Sequence, residues 1–244
     1  MQDLYIILGT RKSGRREIVF DLIDGGLDEN QPKTVYIASS EEPSAFDEQI
    51  AALNNTTVLN WDFHQSIKGP PPPTESKTIF FITESTSNPI DQIEAIREWQ
   101  KVFELNVARI LTVVDCELAE KHEELKSWFE ACIHFTDYVL LNNRENVSNK
   151  WIREFQQYYE KNCYPCLFSY VKKGKTNNPP EILDPSPRRL SHLFDEIDAI
   201  DALDLDEDNL PEDVFDLTNP VDPYLQKYDS GQRKRKIPDI KKFL

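Results

Sequence analysis

The 244-residue chain carries 28 Lys and Arg against 43 Asp and Glu, a formal net charge of −15 at pH 7, with 39% hydrophobic residues. That length suits one generous domain with or without an appendage, and the acidic balance argues against a nucleic-acid binder that uses its whole surface. No stretch approaches the ~18 consecutive apolar residues of a membrane helix, and Met1-Gln2-Asp3 leads into Leu4–Leu8 with no basic leader, so a cytoplasmic location without membrane contact is expected.

In chain order, short apolar runs alternate with longer amphipathic stretches, the pattern of a parallel sheet covered by helices. Strands are predicted at Leu4–Leu8, Thr34–Ala38, Thr56–Asn60, Thr78–Thr83, Ala108–Val114, Tyr138–Leu141 and Cys166–Val171. Tyr5-Ile6-Ile7-Leu8 and Ile79-Phe80-Phe81-Ile82 are continuous apolar runs, as in strands buried on both faces. Helices are predicted at Arg15–Ile23, Ser44–Leu53, Pro89–Glu104, Leu118–His134 and Asn149–Asn162. In the third, Ile90, Ile93, Ile96, Trp99 and Phe103 recur near a 3.6-residue period, and Pro89 suits a first helical turn. Gly69-Pro70-Pro71-Pro72-Pro73 reads as a stiff polyproline insert.

These elements predict a three-layer α/β fold with a mostly parallel sheet over residues 1–171, a linker over 172–194, and an extended charged arm over 195–244. Charge is polarised in that last part: residues 184–222 hold thirteen Asp or Glu against two Arg, and residues 227–244 hold seven Lys or Arg against two Asp. Leu193, Phe194, Ile197, Ile200, Leu203 and Leu205 have the spacing of a short acidic amphipathic helix. Interspersed apolar residues predict that the arm docks along its own domain or on a second copy. An unidentified protein partner, or self-association through 195–244, is therefore expected.

Gly9 ends the first strand and Gly14 follows after four residues, where a helix should begin. This is the skeleton of a phosphate-binding loop, Gly-x-x-x-x-Gly-Lys-Ser/Thr, in its strand–loop–helix setting. Here Gly14 is followed by Arg15 and Arg16 instead of lysine and a hydroxyl. Four further segments stand in a definite order. They are Phe81-Ile82-Thr83-Glu84-Ser85-Thr86-Ser87-Asn88-Pro89, Leu111-Thr112-Val113-Val114-Asp115, Thr136-Asp137-Tyr138-Val139-Leu140-Leu141-Asn142-Asn143-Arg144-Glu145 and Asn162-Cys163-Tyr164-Pro165. Together they resemble the CobW-like metal-chaperone P-loop GTPases over about residues 1–171.

The resemblance implies a phosphate loop at Gly9, Lys12, Gly14, Arg15 and Arg16, a guanine-reading segment at Asn142, Asn143 and Glu145, and an acidic residue near a magnesium site at Glu84. Each departs from the family pattern. Lys12 falls where the family usually has a third glycine; Arg15 stands for a lysine whose compact charge serves the phosphates. Arg16 cannot ligand Mg²⁺, Asn143 replaces a lysine, and Glu145 is one methylene longer than aspartate. Glu84 reads equally as a carboxylate capping the helix at Pro89. Metal-dependent hydrolysis is not expected, so no catalytic residue is assigned, and no cofactor is expected, the alternative being GTP without Mg²⁺ or phosphate.

The cluster Arg11, Lys12, Arg15 and Arg16 reads either as an anion site or as a solvated helix start, although cations oppose the dipole there. The family's Cys-x-Cys-Cys signature is missing from Val58–His64; His64 reads as a loop histidine, and Cys163 and Cys166 as half-buried reduced thiols without a second ligand pair, so no metal is expected. Three functional readings stand. One is a pseudo-GTPase acting as a binding or regulatory module. The others are a divergent but functional GTP-binding metallochaperone, and an interaction protein working through its charged arm.

Overall fold

The structure, a computed structural model, describes residues 1–195 and 221–244. The expected acidic helix from Leu193 to Leu205 falls mostly on residues 196–220, outside the described residues. By contacts the chain groups into two compact units, Met1–Leu190 with Ile237–Leu244, and Ser191–Lys236.

The first unit is built on an eight-stranded sheet. Its strands are β1 (Asp3–Gly9), β2 (Lys33–Ala38), β3 (Thr56–Phe63), β4 (Ile67–Lys68), β5 (Thr78–Ile82), β6 (Asn106–Asp115), β7 (Tyr138–Asn142) and β8 (Leu167–Tyr170). They lie in the order β4-β3-β2-β5-β1-β6-β7-β8. All pair in parallel except the short β4, which returns antiparallel to β3. The first strand is central: β1 lies between β5 and β6, with Ile6 level with Phe81 on one side and Ile110 on the other.

Helices α1 (Arg15–Gly26), α2 (Ala45–Ala51), α3 (Pro89–Val102), α4 (Cys116–Lys121), α5 (Lys126–His134), α6 (Asn149–Lys161) and α7 (Pro179–Ile182) connect and follow the strands. The doubly apolar strands have the burial that run predicts, because helices cover both sheet faces. Phe80 shows how β5 serves the two layers. Its ring stacks on Tyr5 at 5.3 Å, in the cluster that takes Ile18, Val19 and Leu22 from α1. Its neighbour Phe81 turns to the other face and meets Tyr36, Trp61 and Trp99.

Local signals set the helix starts. Asn88 accepts a hydrogen bond from Ile90 N at 2.9 Å with Pro89 at the first helical position, and Ser44 and Asp47 close a reciprocal capping box on α2. The single helix expected over Leu118–His134 is instead two, α4 and α5, separated by an extended His122 (φ −127°, ψ 90°) and a 3₁₀ turn at Glu123–Leu125. The buried residues Ala119 and Leu125 are six apart, off the 3.6-residue repeat, so one straight helix would not turn both inward.

Residues 172–190, expected as linker, are fastened to the sheet unit. Thr176 donates through its backbone N and its hydroxyl to Asp21 Oδ2 at 2.7 and 2.8 Å. Ile182 and Leu183 are buried, and Tyr5 donates to Leu183 O at 2.6 Å. Asp137, fully buried, accepts from Ile110 N at 2.7 Å, Arg188 N at 2.6 Å and Arg189 Nη1 at 2.9 Å.

Of the expected arm, Ile237–Leu244 belongs to the sheet unit: Ile240 is buried, and the Phe243 ring meets His122 edge-on at 5.2 Å. Within the second unit Arg233 donates to Tyr224 O at 3.3 Å, and Arg235 lies over the Tyr224 ring at 4.8 Å. Among the described residues no helix is long and apolar enough to cross a membrane.

Candidate functional site

Parallel strands bring every strand-to-helix loop to one edge, and the expected site residues gather there because they follow β1, β5 and β7. The loop Gly9–Gly14 joins β1 to α1. Gly9 has φ +147°, and a Cβ there would sit 2.7 Å from Val113 O and 3.1 Å from the Arg15 side chain. Gly14, at φ +89°, caps α1, and a Cβ there would fall 2.4 Å from Asn142 Nδ2. Both positions therefore require glycine. Gly14→Ala should cost roughly 1–3 kcal/mol of unfolding free energy, from left-handed strain together with displacement of the Asn142 amide. Urea unfolding measures it, and a loss below about 0.5 kcal/mol, the range of neutral surface changes, would show that the loop relaxes freely.

Lys12 is exposed and takes φ 63°, so the loop holds its left-handed residue without a third glycine. Its carbonyl is tied down, accepting from Asn143 Nδ2 at 3.1 Å.

The three arginines of the cluster, unlike the exposed Lys12, are paired with carboxylates of the chain itself. Arg15 and Arg16 are 6% and 9% exposed and turn into the protein. Arg15 donates to Thr83 O at the end of β5 and to Glu41 Oε1 at 3.0 Å. Arg16 donates to Glu42 O at 2.7 Å and Asp47 Oδ2 at 2.9 Å, and lies 3.7 Å from Glu41 Oε2. Arg11 pairs with Glu42 at 2.9 Å. The acidic partners come from the loop after β2 and the first turn of α2. Glu41 is the hub: besides both arginines, it accepts from Ser85 N at 2.5 Å.

Burial would raise the Glu41 carboxyl pKa, but the Arg15 charge and the hydrogen bonds from Ser85 and Arg15 outweigh it and hold the group below its usual value. Burial lowers the Arg15 pKa, with the Glu41 charge acting against it. The pair is thus a buried, mutually neutralising unit.

Glu84 does not cap α3, a role Asn88 fills; its carboxylate accepts from Ser40 Oγ at 2.7 Å, from Ser87 Oγ and from Thr86 Oγ1. Asn142 is buried and donates to Ser13 O at 2.9 Å, and Asn143 also donates to Asp115 Oδ2 at 2.8 Å. These two amides fasten the end of β7 to the loop after β1. Glu145 is exposed.

His64 is exposed in the turn between β3 and β4, Cys163 is exposed, and Cys166 is buried with its thiol pushed up to about 12 by burial. Glu41 and Asp47 are the site residues that sequence reasoning missed, and Asp115 stood in a segment singled out there without a role of its own. The sequence signal was Glu41-Glu42 just after a strand, informative only once β2 is placed at the same edge.

A cavity of about 260 Å³ lies between the loop and residues 41–46, lined by Thr10, Arg11, Gly14, Arg16, Glu41 and Phe46 among others. Thr10 Oγ1 and Ser13 Oγ are buried with no hydrogen-bond partner among the described residues. These residues do not fit a magnesium nucleotide. The cation that would meet phosphate is already neutralised by Glu41, and a second buried cation stands where the metal would need a hydroxyl.

Fold and site together define a three-layer α/β protein with a mostly parallel sheet, whose glycine turn after β1 closes on internal carboxylates. No family model matches the sequence, and no curated protein matches it. Among solved structures the chain is similar to the signal recognition particle receptor FtsY from Elizabethkingia anophelis in complex with GDP, at 14% identity and TM-score 0.46, covering 81% of this chain and 65% of that one. It is also similar to Zn(II)-bound YjiA GTPase from E. coli, at 10% identity and TM-score 0.42 over 77% and 66% of the two chains. A third, the cell division protein FtsY from Thermotoga maritima, shows 12% identity and TM-score 0.44 over 76% and 68%. The chain thus spans about two thirds of the length of these structures.

Proposed function

We propose that this chain is an eroded CobW-like P-loop protein that does not hydrolyse nucleotide and serves as a binding or regulatory module. The observation that supports this most is the Glu41 carboxylate seated between Arg15, Arg16 and Ser85 N. A protein that turns over nucleotide keeps a mobile cation and a metal-binding hydroxyl at these two positions. Here two buried arginines are spent on internal partners, and the loop is locked from the other side by Asn142 and Asn143. A loop built this way is a structural brace, leaving partner binding to the surface.

Purified protein with Mg²⁺ should show no GTP or ATP hydrolysis above background. Turnover that disappears on substituting Glu84 would overturn the reading. The triple substitution Arg15→Lys, Arg16→Thr and Glu41→Ala removes the plug and restores the missing chemistry, so it should gain nucleotide affinity by titration calorimetry.

A further inference from the structure

A second concavity lies away from the glycine loop, between α4–α5 and α6. It is a groove of about 400 Å³. Five aromatic rings line it: Trp151, Phe155, Tyr158 and Tyr159 from α6, and Phe129 from α5. Trp151 and Phe155 stack at 5.0 Å with an interplanar angle of 25°, and both are half-buried, so their remaining ring surface faces outward. Helix α6 starts sharply, Ser148 Oγ accepting from Trp151 N at 3.2 Å, which holds Trp151 in the first turn.

Acidic side chains outnumber basic ones around these rings. Glu120, Glu123 and Glu154 line the groove with Lys126, and Lys150 lies 3.7 Å from Glu154 at its rim. Glu120 is steadied by Ser148, and the Glu123 carboxylate, whose backbone carbonyl accepts from Lys126 N, makes no hydrogen bond or ion pair among the described residues. Aromatic faces flanked by carboxylates are the environment that attracts a guanidinium or ammonium, since the ring quadrupole and the carboxylates act in the same direction. The groove already shows this affinity internally: Lys126 Nζ sits 3.8 Å from the centre of the Tyr158 ring. Within the chain itself, 196–222 is acidic and does not suit the groove, whereas 227–244 is basic and carries the same chemistry as a cationic partner segment.

We propose that this groove is the docking site for an arginine- or lysine-bearing linear segment of a partner protein. A cationic side chain of that segment stacks on the Trp151–Phe155 pair, with Glu123 and Glu154 as its counter-charges. This deepens the reading of the chain as a binding module but does not depend on the glycine loop, so hydrolysis by the protein would leave it standing.

The test is titration of the full chain with a short arginine-rich peptide, followed by calorimetry and by Trp fluorescence at low and high salt. Binding should be salt-sensitive and lost to a glutamate-rich peptide of equal length. Trp151→Ala should weaken it by about tenfold or more, and Glu123→Gln with Glu154→Gln should do the same. Glu98→Gln, an exposed neutralisation on α3, should leave affinity unchanged. Lys126→Ala, a surface change that leaves the core intact, removes the internal competitor and should tighten binding several-fold. Equal affinity for wild type, Trp151→Ala and Lys126→Ala would overturn the proposal, leaving only general attraction to an acidic protein. A Trp151-dependent dimer found by sedimentation without peptide would also overturn it, making a second copy the occupant.

Discussion

Glu41→Ala is expected to lower the unfolding free energy by about 3–5 kcal/mol, the usual cost of leaving one partner of a buried ion pair uncompensated. The Glu41 side chain is 6% exposed, and those of Arg15 and Arg16 are 5% and 10% exposed. Arg16 would keep Asp47 and the Glu42 carbonyl, whereas Arg15 would keep only Thr83 O, so the loss falls mainly on Arg15. For a chain of this size the melting temperature should drop by about 10 °C. Inorganic phosphate should restore part of it in the alanine variant, since an anion can then enter beside Arg15, and should do little for wild type.

The pH dependence follows from the depressed pKa of Glu41. A carboxyl held below its unfolded value of about 4.3 contributes stability that is complete above that value. The contribution is lost as pH falls through the lower folded value. The stability difference between wild type and Glu41→Gln should therefore be constant from about pH 7 to 5 and shrink below about pH 4. A difference under about 1 kcal/mol at neutral pH, as for an exposed pair, together with no phosphate response, would show that Glu41 is not the hub.

Asp137→Ala should cost a comparable 3–5 kcal/mol or so, for a related reason at the opposite edge of the sheet. The side chains of Asp137 and Arg189 are 0% and 2% exposed, and Asp137 also satisfies two backbone donors, Ile110 N and Arg188 N. Removing it takes away the carboxylate that faces a buried guanidinium and releases residues 188–189 from the start of β7 and the middle of β6. Arg189→Ala should be costly too, because it strands the carboxylate. The double variant should lose clearly less than the sum of the singles, since no uncompensated charge then remains. Urea unfolding of the three variants measures this. Additivity within about 0.5 kcal/mol would mean the two side chains act independently.

The strands were readable because burial on both faces leaves continuous apolar runs such as Tyr5–Leu8 and Ile79–Ile82, a pattern that depends on nothing distant in the chain. The glycine turn was readable for a similar reason: Gly9 and Gly14 answer to backbone angles set within six residues. The break at His122 was harder to see. The helical repeat near it is short, and the decision between one helix and two rests on whether Ala119 and Leu125 must both face inward. Residues 172–190 look like a linker because they are rich in Lys, Asn and Pro, yet their anchors, Asp21, Tyr5 and Asp137, lie far back in the chain.

At the site the same division holds. That Arg15 and Arg16 follow Gly14, where the phosphate-loop pattern has lysine and a hydroxyl residue, is a matter of residue identity and needs no structure. Where those guanidinium groups point is not. Their partners Glu41, Glu42 and Asp47 stand 26 to 31 residues further on, and Thr83 O 68 residues away. They meet only because β2 and β5 run parallel beside one another and deliver their loops to one edge. A side chain's charge and reach are local properties and can be read from the sequence; the sign of what lies opposite it is set by strand order, a long-range property. The tertiary structure therefore decided that this cationic loop closes on its own carboxylates.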